Sequence, residues 1–293
     1  MYKIKGYWDA HTVPEATELL AQNPQLRIIA GGTDVLIKMH HGQFEEAELL
    51  SIRGIKSLQS IRQSEDGTIL IGALATFNQI FNDPVIQANI PVLGEAAISM
   101  GGPQIRNIAT MGGNICNGAT SADSASTLFA LNASLRLESS AGERLVPIRE
   151  FYLGPGKVDL KPGELLTEFV ISAQEYQGFG GHYIKFATRK AMDIATLGVS
   201  AMCRVDGNTL AEVRIGLGVA GPTPLRCVEA EEFAQGQEIT AATLAEIGKL
   251  AVKSTKARTS WRASKEYREH LVEELTQRAL KTAIVRAGGE ELA

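Results

Sequence analysis

Two pairs of adjacent glycines, each between apolar and small polar residues, have the composition of ligand-binding loops. The first lies in residues 27–34, Arg-Ile-Ile-Ala-Gly-Gly-Thr-Asp, at the end of a β-branched run. Adjacent glycines let a backbone turn sharply, reach positive φ and approach a ligand closely. Thr33 and Asp34 are suited to capping a helix whose free amides could bind an anion. Taken alone, this short segment is better explained by a plain strand-to-helix turn.

The second pair lies in residues 108–114, Ile-Ala-Thr-Met-Gly-Gly-Asn, and Asp123 follows nine residues after that Asn. Residues 111–118 carry little side-chain bulk, so their backbone could approach a ligand closely. Thr120, Ser121 or Asp123 could cap a helix over residues 124–131, and the acid could also accept from ribityl or ribose hydroxyls. A capped glycine-rich connection is the alternative. Two such loops in one chain favour a dinucleotide held from both sides.

A third glycine pattern, residues 216–221, fits the dinucleotide fingerprint G-x-G-x-x-G. That fingerprint requires a helix directly afterwards. Pro222 and Pro224 follow instead, and proline disfavours a helix here. The pattern therefore predicts a strand that ends in a turn.

No metal site is predicted. His40 and His41 are neighbours whose side chains point apart, no third ligand is near, and a surface loop is their expected location. The three cysteines are too few and too scattered for a disulfide framework, an iron–sulfur cluster or a zinc site; they are Cys116, Cys203 and Cys227.

The composition is that of an ordinary globular protein. The 293 residues are 44% hydrophobic and 21% charged, enough for a sizeable core and two or three domains or subdomains. The formal net charge of −4 gives no electrostatic footprint for nucleic acid or an anionic membrane. Without a signal-type N-terminus or a spanning apolar run, a cytoplasmic protein is expected.

Hydrophobic periodicity predicts the elements that would position these loops. A helix is expected at 14–21 and helical structure over 75–100; strands are expected at 26–30, 49–52, 68–73, 133–138 and 164–171. Polar residues 172–181 are the best domain boundary. Beyond them come strands at 182–188, 197–205 and 210–219, then helices at 241–252 and 266–287. This order indicates an α+β protein.

A basic run over residues 253–268 has two interpretations of equal weight. It could be a docking face for a partner protein. It could equally be the solvated face of a helix.

Together the two loops resemble the FAD-binding subunits of the molybdenum hydroxylases. The matching segments are Ala-Gly-Gly-Thr-Asp at 30–34 and Thr-Met-Gly-Gly-Asn at 110–114, with flanking matches at 102–107, 117–123 and 261–268. The similarity covers nearly the whole chain. Within this family it is greatest to the FAD subunits of bacterial xanthine dehydrogenases.

The resemblance implies a p-cresol methylhydroxylase-type FAD-binding domain in two lobes. A C-terminal α+β domain like that of carbon monoxide dehydrogenase flavoproteins would follow. The implied limits are residues 1–176 for the FAD domain, with lobes of about 1–60 and 61–176, and 177–293 for the C-terminal domain.

The resemblance also assigns FAD contacts by position. Asp123 matches an acidic contact, Leu165 or Leu166 an apolar residue against the flavin ring system, and Lys185 a lysine near the flavin's carbonyl edge. The two loops would hold opposite flanks of the cofactor, through Arg27, Ile28, Ile29, Ala30, Gly31, Gly32, Thr33 and Asp34 on one side and Ala109, Thr110, Met111, Gly112, Gly113 and Asn114 on the other.

Two further positions follow from the same comparison. Some relatives carry an aromatic residue that stacks on adenine where this chain has Met100. Residues 189–195 match a loop beside the flavin face, where NAD would approach.

The implied function is electron transfer. Purine oxidation, of hypoxanthine or xanthine, would occur at a molybdenum centre in a large subunit. Electrons would pass through the 2Fe–2S clusters of a small subunit to FAD here, and then to NAD. This chain would itself hold no metal and no catalytic nucleophile or base, and would contact neither nucleic acid nor membrane.

Other functions remain open. One is the FAD subunit of another molybdenum hydroxylase, acting on an aldehyde or another N-heterocycle. Another is a self-contained flavin reductase of the same fold. A third, from a different class, is a non-catalytic nucleotide-binding module for assembly.

Overall fold

The computed structural model describes residues 3–44 and 46–291. The outer domain limits at residues 1 and 293 lie outside these ranges. The helices are α1 Val13–Gln22, α2 Val35–His40, α3 Phe77–Asn82, α4 Pro84–Asn89, α5 Pro91–Ser99, α6 Pro103–Arg106, α7 Met111–Cys116, α8 Asp123–Ala130, α9 Ile148–Phe151, α10 Val228–Ala234, α11 Ala241–Lys253 and α12 Lys265–Arg286. The strands are β1 Ile4–Asp9, β2 Arg27–Ile29, β3 Ala47–Ser51, β4 Ile61–Gln63, β5 Ile69–Gly72, β6 Ser134–Ser139, β7 Gly142–Pro147, β8 Tyr152–Gly154, β9 Lys157–Val158, β10 Leu165–Ile171, β11 Gly180–Phe186, β12 Leu197–Asp206, β13 Thr209–Gly218 and β14 Leu225–Arg226.

A small parallel sheet begins the chain, with strand order β1-β3-β2. The crossover helix α1 is capped by Thr12, whose hydroxyl accepts from the Glu15 amide, and has a proline in its first turn. Its buried face packs with the strands around Leu50 and Ile52. The first glycine loop leaves this sheet at the end of β2.

A five-stranded antiparallel sheet forms the second part, in the order β4-β5-β10-β6-β7. Its large apolar core is closed by α3, α5 and α8. The helical periodicity over 75–100 is confirmed, but as three short helices. Asp83-Pro84 and Ile90-Pro91 break it, because proline lacks an amide donor and its ring blocks the preceding turn.

A four-stranded antiparallel sheet, β11-β12-β13-β14, follows residue 179. The long strands β12 and β13 are buried on both faces. Helices α10, α11 and α12 lie on one side, and α5 and α8 cover the other. The helix α8 therefore sits between the two larger sheets, with all eight of its residues buried.

Several sequence expectations are resolved by this fold. Residues 216–221 form the end of β13 and a turn, as predicted, with Val219 at φ 65°. His40 is the last residue of α2 and His41 lies in the turn that follows it; both are exposed. The described residues contain no group of three or more potential metal ligands.

The basic run over 253–268 is not a continuous helix face, so that interpretation is wrong. Residues 255–264 are irregular and connect α11 to α12. Among the described helices, none is both long and apolar enough to cross a membrane.

Candidate flavin site

The two glycine loops line one cavity of about 410 Å³. Ligand pockets are typically about 300–1,000 Å³. The sequence-predicted residues on its wall are Arg27, Ile28, Ala30, Gly31, Gly32, Thr33, Asp34, Ala109, Thr110, Gly112, Gly113, Asn114, Leu165 and Leu166. Segments far apart in sequence thus meet at one concave surface.

The first loop presents a row of free backbone donors. The amides of Gly31, Gly32, Thr33 and Asp34 donate no hydrogen bond to any described residue. Gly32 has φ 76°, a conformation that glycine adopts at little cost. Unpaired consecutive amides facing a cavity are suited to bind the oxygens of a phosphate.

The second loop differs because most of its amides already donate to other residues of the chain. Met111 donates to the Ala75 carbonyl at 3.0 Å, and Gly112 donates to Ala73 at 2.9 Å. The Gly113 amide donates to the Thr110 hydroxyl, which caps α7. This flank therefore offers shape and close approach, and the amide donors for an anion come from the first loop.

The side-chain caps expected at the helices that follow the two loops, α2 and α8, do not form. Asp34 occupies the cap position of α2, but its carboxylate accepts no amide there. Likewise α8 begins after Ala122 without a side-chain cap, and Asp123 lies in its first turn. Both carboxylates are left for other partners.

The two loops touch directly. A Cβ on Gly31 would overlap the carbonyl oxygen of Ile108, so only glycine fits at this contact. On the cavity wall Lys38 donates to the Asn117 side-chain oxygen at 2.5 Å, joining α2 to the end of α7. These two contacts therefore hold the opposite sides of the cleft together.

Burial raises the pKa of Asp34 above its ordinary value, and the Lys38 charge partly opposes this. Lys38 and Asn117 were not predicted from the sequence. The available signal was the spacing of Lys38 four residues after Asp34, which puts both on one helix face. Its contact with Asn117, by contrast, depends on the tertiary fold.

Further cavity residues are apolar or aromatic. The Arg27 guanidinium carbon lies 3.7 Å from the ring centroid of Phe44. Met100, Leu165 and Leu166 supply apolar wall. A cavity with an apolar wall and free amides at one end matches a flat ring system joined to phosphates.

Four sequence-predicted residues do not line this cavity. Ile29 packs beneath α2 with Met39, and Met111 is fully buried in the core. Asp123 and Lys185 instead pair with each other, with Nζ 2.8 Å from the carboxylate.

This ion pair is well enclosed. Asp123 is 8% exposed, and its other oxygen accepts from the Tyr183 hydroxyl at 3.3 Å. Lys185 also donates to the Ser99 carbonyl at 3.1 Å. Burial raises the pKa of Asp123, although Lys185 and Tyr183 oppose the shift.

The pair is linked to both cavities. Ser124, next to Asp123, donates to the Asn114 side-chain oxygen at 2.8 Å, and Asn114 lines the first cavity. Lys185 lines a second, polar cavity of about 340 Å³ with Arg189 and Lys190.

Glu95, also on the second cavity, joins three elements. Burial alone would raise its pKa, but hydrogen bonds from His182, Arg286 and the Tyr183 amide hold the pKa of Glu95 at about 2. The Arg286 and His182 nitrogens lie 2.6 and 2.8 Å from the carboxylate. The carboxylate therefore ties α5 to β11 and α12.

Comparison with known families divides the chain into two matches. Residues 2–173 match the FAD-binding domain of molybdopterin dehydrogenases. Residues 182–283 match the C-terminal domain of carbon monoxide dehydrogenase flavoproteins. The predicted fold class is confirmed by these matches.

The chain is 44% identical over 290 residues, 99% of each chain, to a xanthine dehydrogenase FAD-binding subunit of Escherichia coli O157:H7. It is 32% identical to the carbon monoxide dehydrogenase medium chain of Hydrogenophaga pseudoflava, over 96% of this chain and 97% of that one. A solved structure of the Hydrogenophaga enzyme superposes with a TM-score of 0.93, at 30% identity over 98% and 99% of the two chains. Quinoline 2-oxidoreductase from Pseudomonas putida 86 gives 0.91, at 26% identity over 98% and 99%.

Proposed function

The chain belongs to the FAD-binding subunits of the molybdenum hydroxylases, and we propose that within this family it serves a xanthine dehydrogenase. The relative at 44% identity over 99% of both chains supports that choice over the other substrates of the family. The site observation that carries the flavin assignment is the row of four unpaired amides at 31–34, in residues that line the cavity between the two glycine loops.

The residues fit FAD as follows. Amides 31–34 would hold the pyrophosphate, with Lys38 as a nearby cation. Loop 109–114 would take the opposite flank, where Gly113 leaves room for close approach. Leu165 or Leu166 would pack against the flavin ring system, and Met100 lies on the same wall, where a thioether could pack on adenine.

When bound, FAD supplies two-electron chemistry that protein side chains cannot. The chain's own contribution is to position the cofactor, exclude water from it and set its electrostatic surroundings. The ammonium of Lys185 would stabilise negative charge near the carbonyl edge of the flavin. The Asp123 carboxylate lies 2.8 Å from that ammonium and fixes its position.

The chain would accept electrons from the 2Fe–2S clusters of a small subunit, after purine oxidation at a molybdenum centre in a large subunit. NAD would be the final acceptor. The loop 189–195 supports this route, because Arg189 and Lys190 line a polar cavity beside Lys185. With only three scattered cysteines in its sequence, the chain depends on a partner for iron–sulfur clusters.

The experiment is to purify the native complex through a tag on this chain and to assay xanthine with NAD and with oxygen as acceptors. We expect a yellow protein, bleached by xanthine anaerobically and reoxidised by NAD. Bleaching by an aldehyde or another N-heterocycle, but not by xanthine, would favour a different molybdenum hydroxylase. A colourless complex that binds nucleotide would favour the assembly module, and a yellow chain active without partners would favour a self-contained reductase.

A further inference from the structure

Three arginines, two in the connection before α12 and one in its first turn, form a cluster of positive charge. Arg258, Arg262 and Arg268 make no ion pair with any described residue. Burial, together with the neighbouring charges of Arg258 and Arg262, lowers the pKa of Arg268. Positive charge gathered in this way is stabilised by an approaching carboxylate.

Arg268 is the most enclosed member, with 4% exposure. Its terminal nitrogens donate to the Thr196 carbonyl and, at 2.9 Å, to the Ser260 hydroxyl. Both acceptors are neutral. Its Nε is buried without an acceptor among the described residues, and so is the Nε of Arg262. A buried guanidinium whose only partners are neutral is not electrostatically compensated, so a nearby anion would stabilise it.

Beside the cluster a large aromatic surface faces outward. Trp261 is 85% exposed, and the Arg262 guanidinium carbon lies 4.1 Å from its ring centroid. Tyr267, 45% exposed, packs edge-on against Phe186. Tryptophan, tyrosine and arginine are the side chains most enriched at the energetic centres of protein interfaces.

The backbone of the segment is held firmly. Lys256 donates to the Ala220 carbonyl at 2.8 Å, and Ser260 pairs with Ala263. The Ser264 hydroxyl then caps α12. An irregular segment fixed at both ends presents its side chains in a defined arrangement, which lowers the entropy lost on binding.

We propose that the surface formed by Arg258, Trp261 and Arg262 docks a partner subunit of the same complex. That partner would insert a carboxylate between the guanidinium groups and cover Trp261 with an apolar pocket. This inference rests on the proposed function, which requires a multi-subunit complex. A protein is favoured over a small anion because an exposed tryptophan contributes nothing to binding an isolated oxyanion.

The test uses two variants of the tagged full-length chain in its native complex, Arg258→Glu and Trp261→Ala. Arg258 is exposed, and a glutamate there would partly neutralise the cluster, so the Tm of the free chain should be unchanged or higher. Matched controls are Arg53→Glu, also exposed and without an ion pair to a described residue, and Leu153→Ala, which removes an exposed apolar side chain.

We expect both variants to retain FAD and to lose the same partner, read as iron or molybdenum per flavin, with partner affinity reduced about 30-fold. Iron loss would identify the small subunit, and molybdenum loss the large one. Wild-type metal-to-flavin ratios at every salt concentration would overturn the docking proposal. So would variants whose only defect is a lost thermal shift with inorganic phosphate, since that marks a small-anion site. Failure of the proposed function is distinct, because it would appear in the wild-type complex itself, either as a lack of flavin or as bleaching by a substrate other than xanthine.

Discussion

At the residue scale, Gly31 and Gly113 are both required to be small, for different reasons. A Cβ on Gly31 would collide with the backbone of the other loop at Ile108. A Cβ on Gly113 would meet only the Thr110 hydroxyl, at 3.0 Å, and otherwise project into open space on the cavity wall. Gly31 therefore maintains the contact between the loops, and Gly113 keeps volume available for a ligand.

These geometries predict separable effects. Gly113→Leu should leave the free energy of unfolding within about 1 kcal/mol, since helix propensity gained at α7 offsets a weakened Thr110 cap. FAD affinity should fall by about 5- to 150-fold, because overpacking costs about 1–3 kcal/mol. Flavin absorbance and thermal denaturation measure the two effects.

Gly154→Leu is the control, because no atom lies within 4 Å of a Cβ there and the residue is outside the cavity wall. Gly31→Ala should lower both stability and flavin content. Full flavin occupancy in Gly113→Leu would contradict the assigned role of this loop.

Lys185 and Asp123 allow a second prediction at this scale. Lys185→Met leaves the buried carboxylate of Asp123 without its counter-ion, so the free energy of unfolding should fall by about 3–5 kcal/mol at neutral pH. Adding Asp123→Asn should restore most of it. If Lys185 also acts on the flavin, the flavin of the double variant should still have a midpoint potential below that of the wild type. The expected difference is about 30 mV, which corresponds to about 1.4 kcal/mol in a two-electron couple.

The measurements are chemical denaturation and a spectroscopic redox titration, with Lys185→Arg retaining the charge as the control. A double variant with wild-type potential would restrict the lysine to a structural role.

At the scale of elements, Glu95 joins α5, β11 and α12 through one carboxylate. Its folded-state pKa of about 2 lies below the ordinary value of 4.5, so its contribution is fully present above pH 4.5 and is lost as the pH falls towards 2. Since the group is partly exposed, the contribution is on the order of 2 kcal/mol.

Glu95→Gln should remove this contribution and flatten the stability profile between pH 4.5 and 2. Urea denaturation across that range measures it, with Glu232→Gln, a glutamate without a described ion pair, as the control. An unchanged slope in Glu95→Gln would refute the assignment.

The elements with strong periodicity were predictable, and the tertiary contacts were not. Helix α1 and strands β10, β12 and β13 follow from local pattern within a few residues. Strand β1 was missed, because its Lys-Ile-Lys-Gly-Tyr-Trp context is polar and largely exposed. The loops were recognisable as ligand-binding, but only the fold reveals that the Met111 and Gly112 amides of the second loop donate to Ala75 and Ala73.

At the scale of the whole molecule, the two family matches are joined by a buried interface. Tyr183 and Met202, from the C-terminal sheet, belong to the same apolar core as α5 and α8. A Cβ on Gly216 would overlap the Ser126 carbonyl of α8, and one on Gly180 would overlap the Ala283 carbonyl of α12. Both contacts hold helices directly against strand backbone.

Gly216→Ala should therefore destabilise the whole chain. The cost is about 1–3 kcal/mol, or a Tm lower by several degrees, in one transition. Differential scanning calorimetry measures this, with Gly218→Ala as a milder control, because its Cβ would lie 3.3 Å from the Thr120 carbonyl. Two separate transitions would indicate that the units unfold independently.

The burial of α8 on all sides constrains how such subunits can recombine. A chimera that exchanges everything after residue 176 with a relative would place foreign strands against the native Ser126 and Asp123. We expect folded chimeras only when α8 and the C-terminal sheet come from the same parent protein, although α8 lies some fifty residues before the crossover point. In this architecture, the unit that can be exchanged between relatives is therefore set by the shared helix α8 and not by the position of the domain boundary in the sequence.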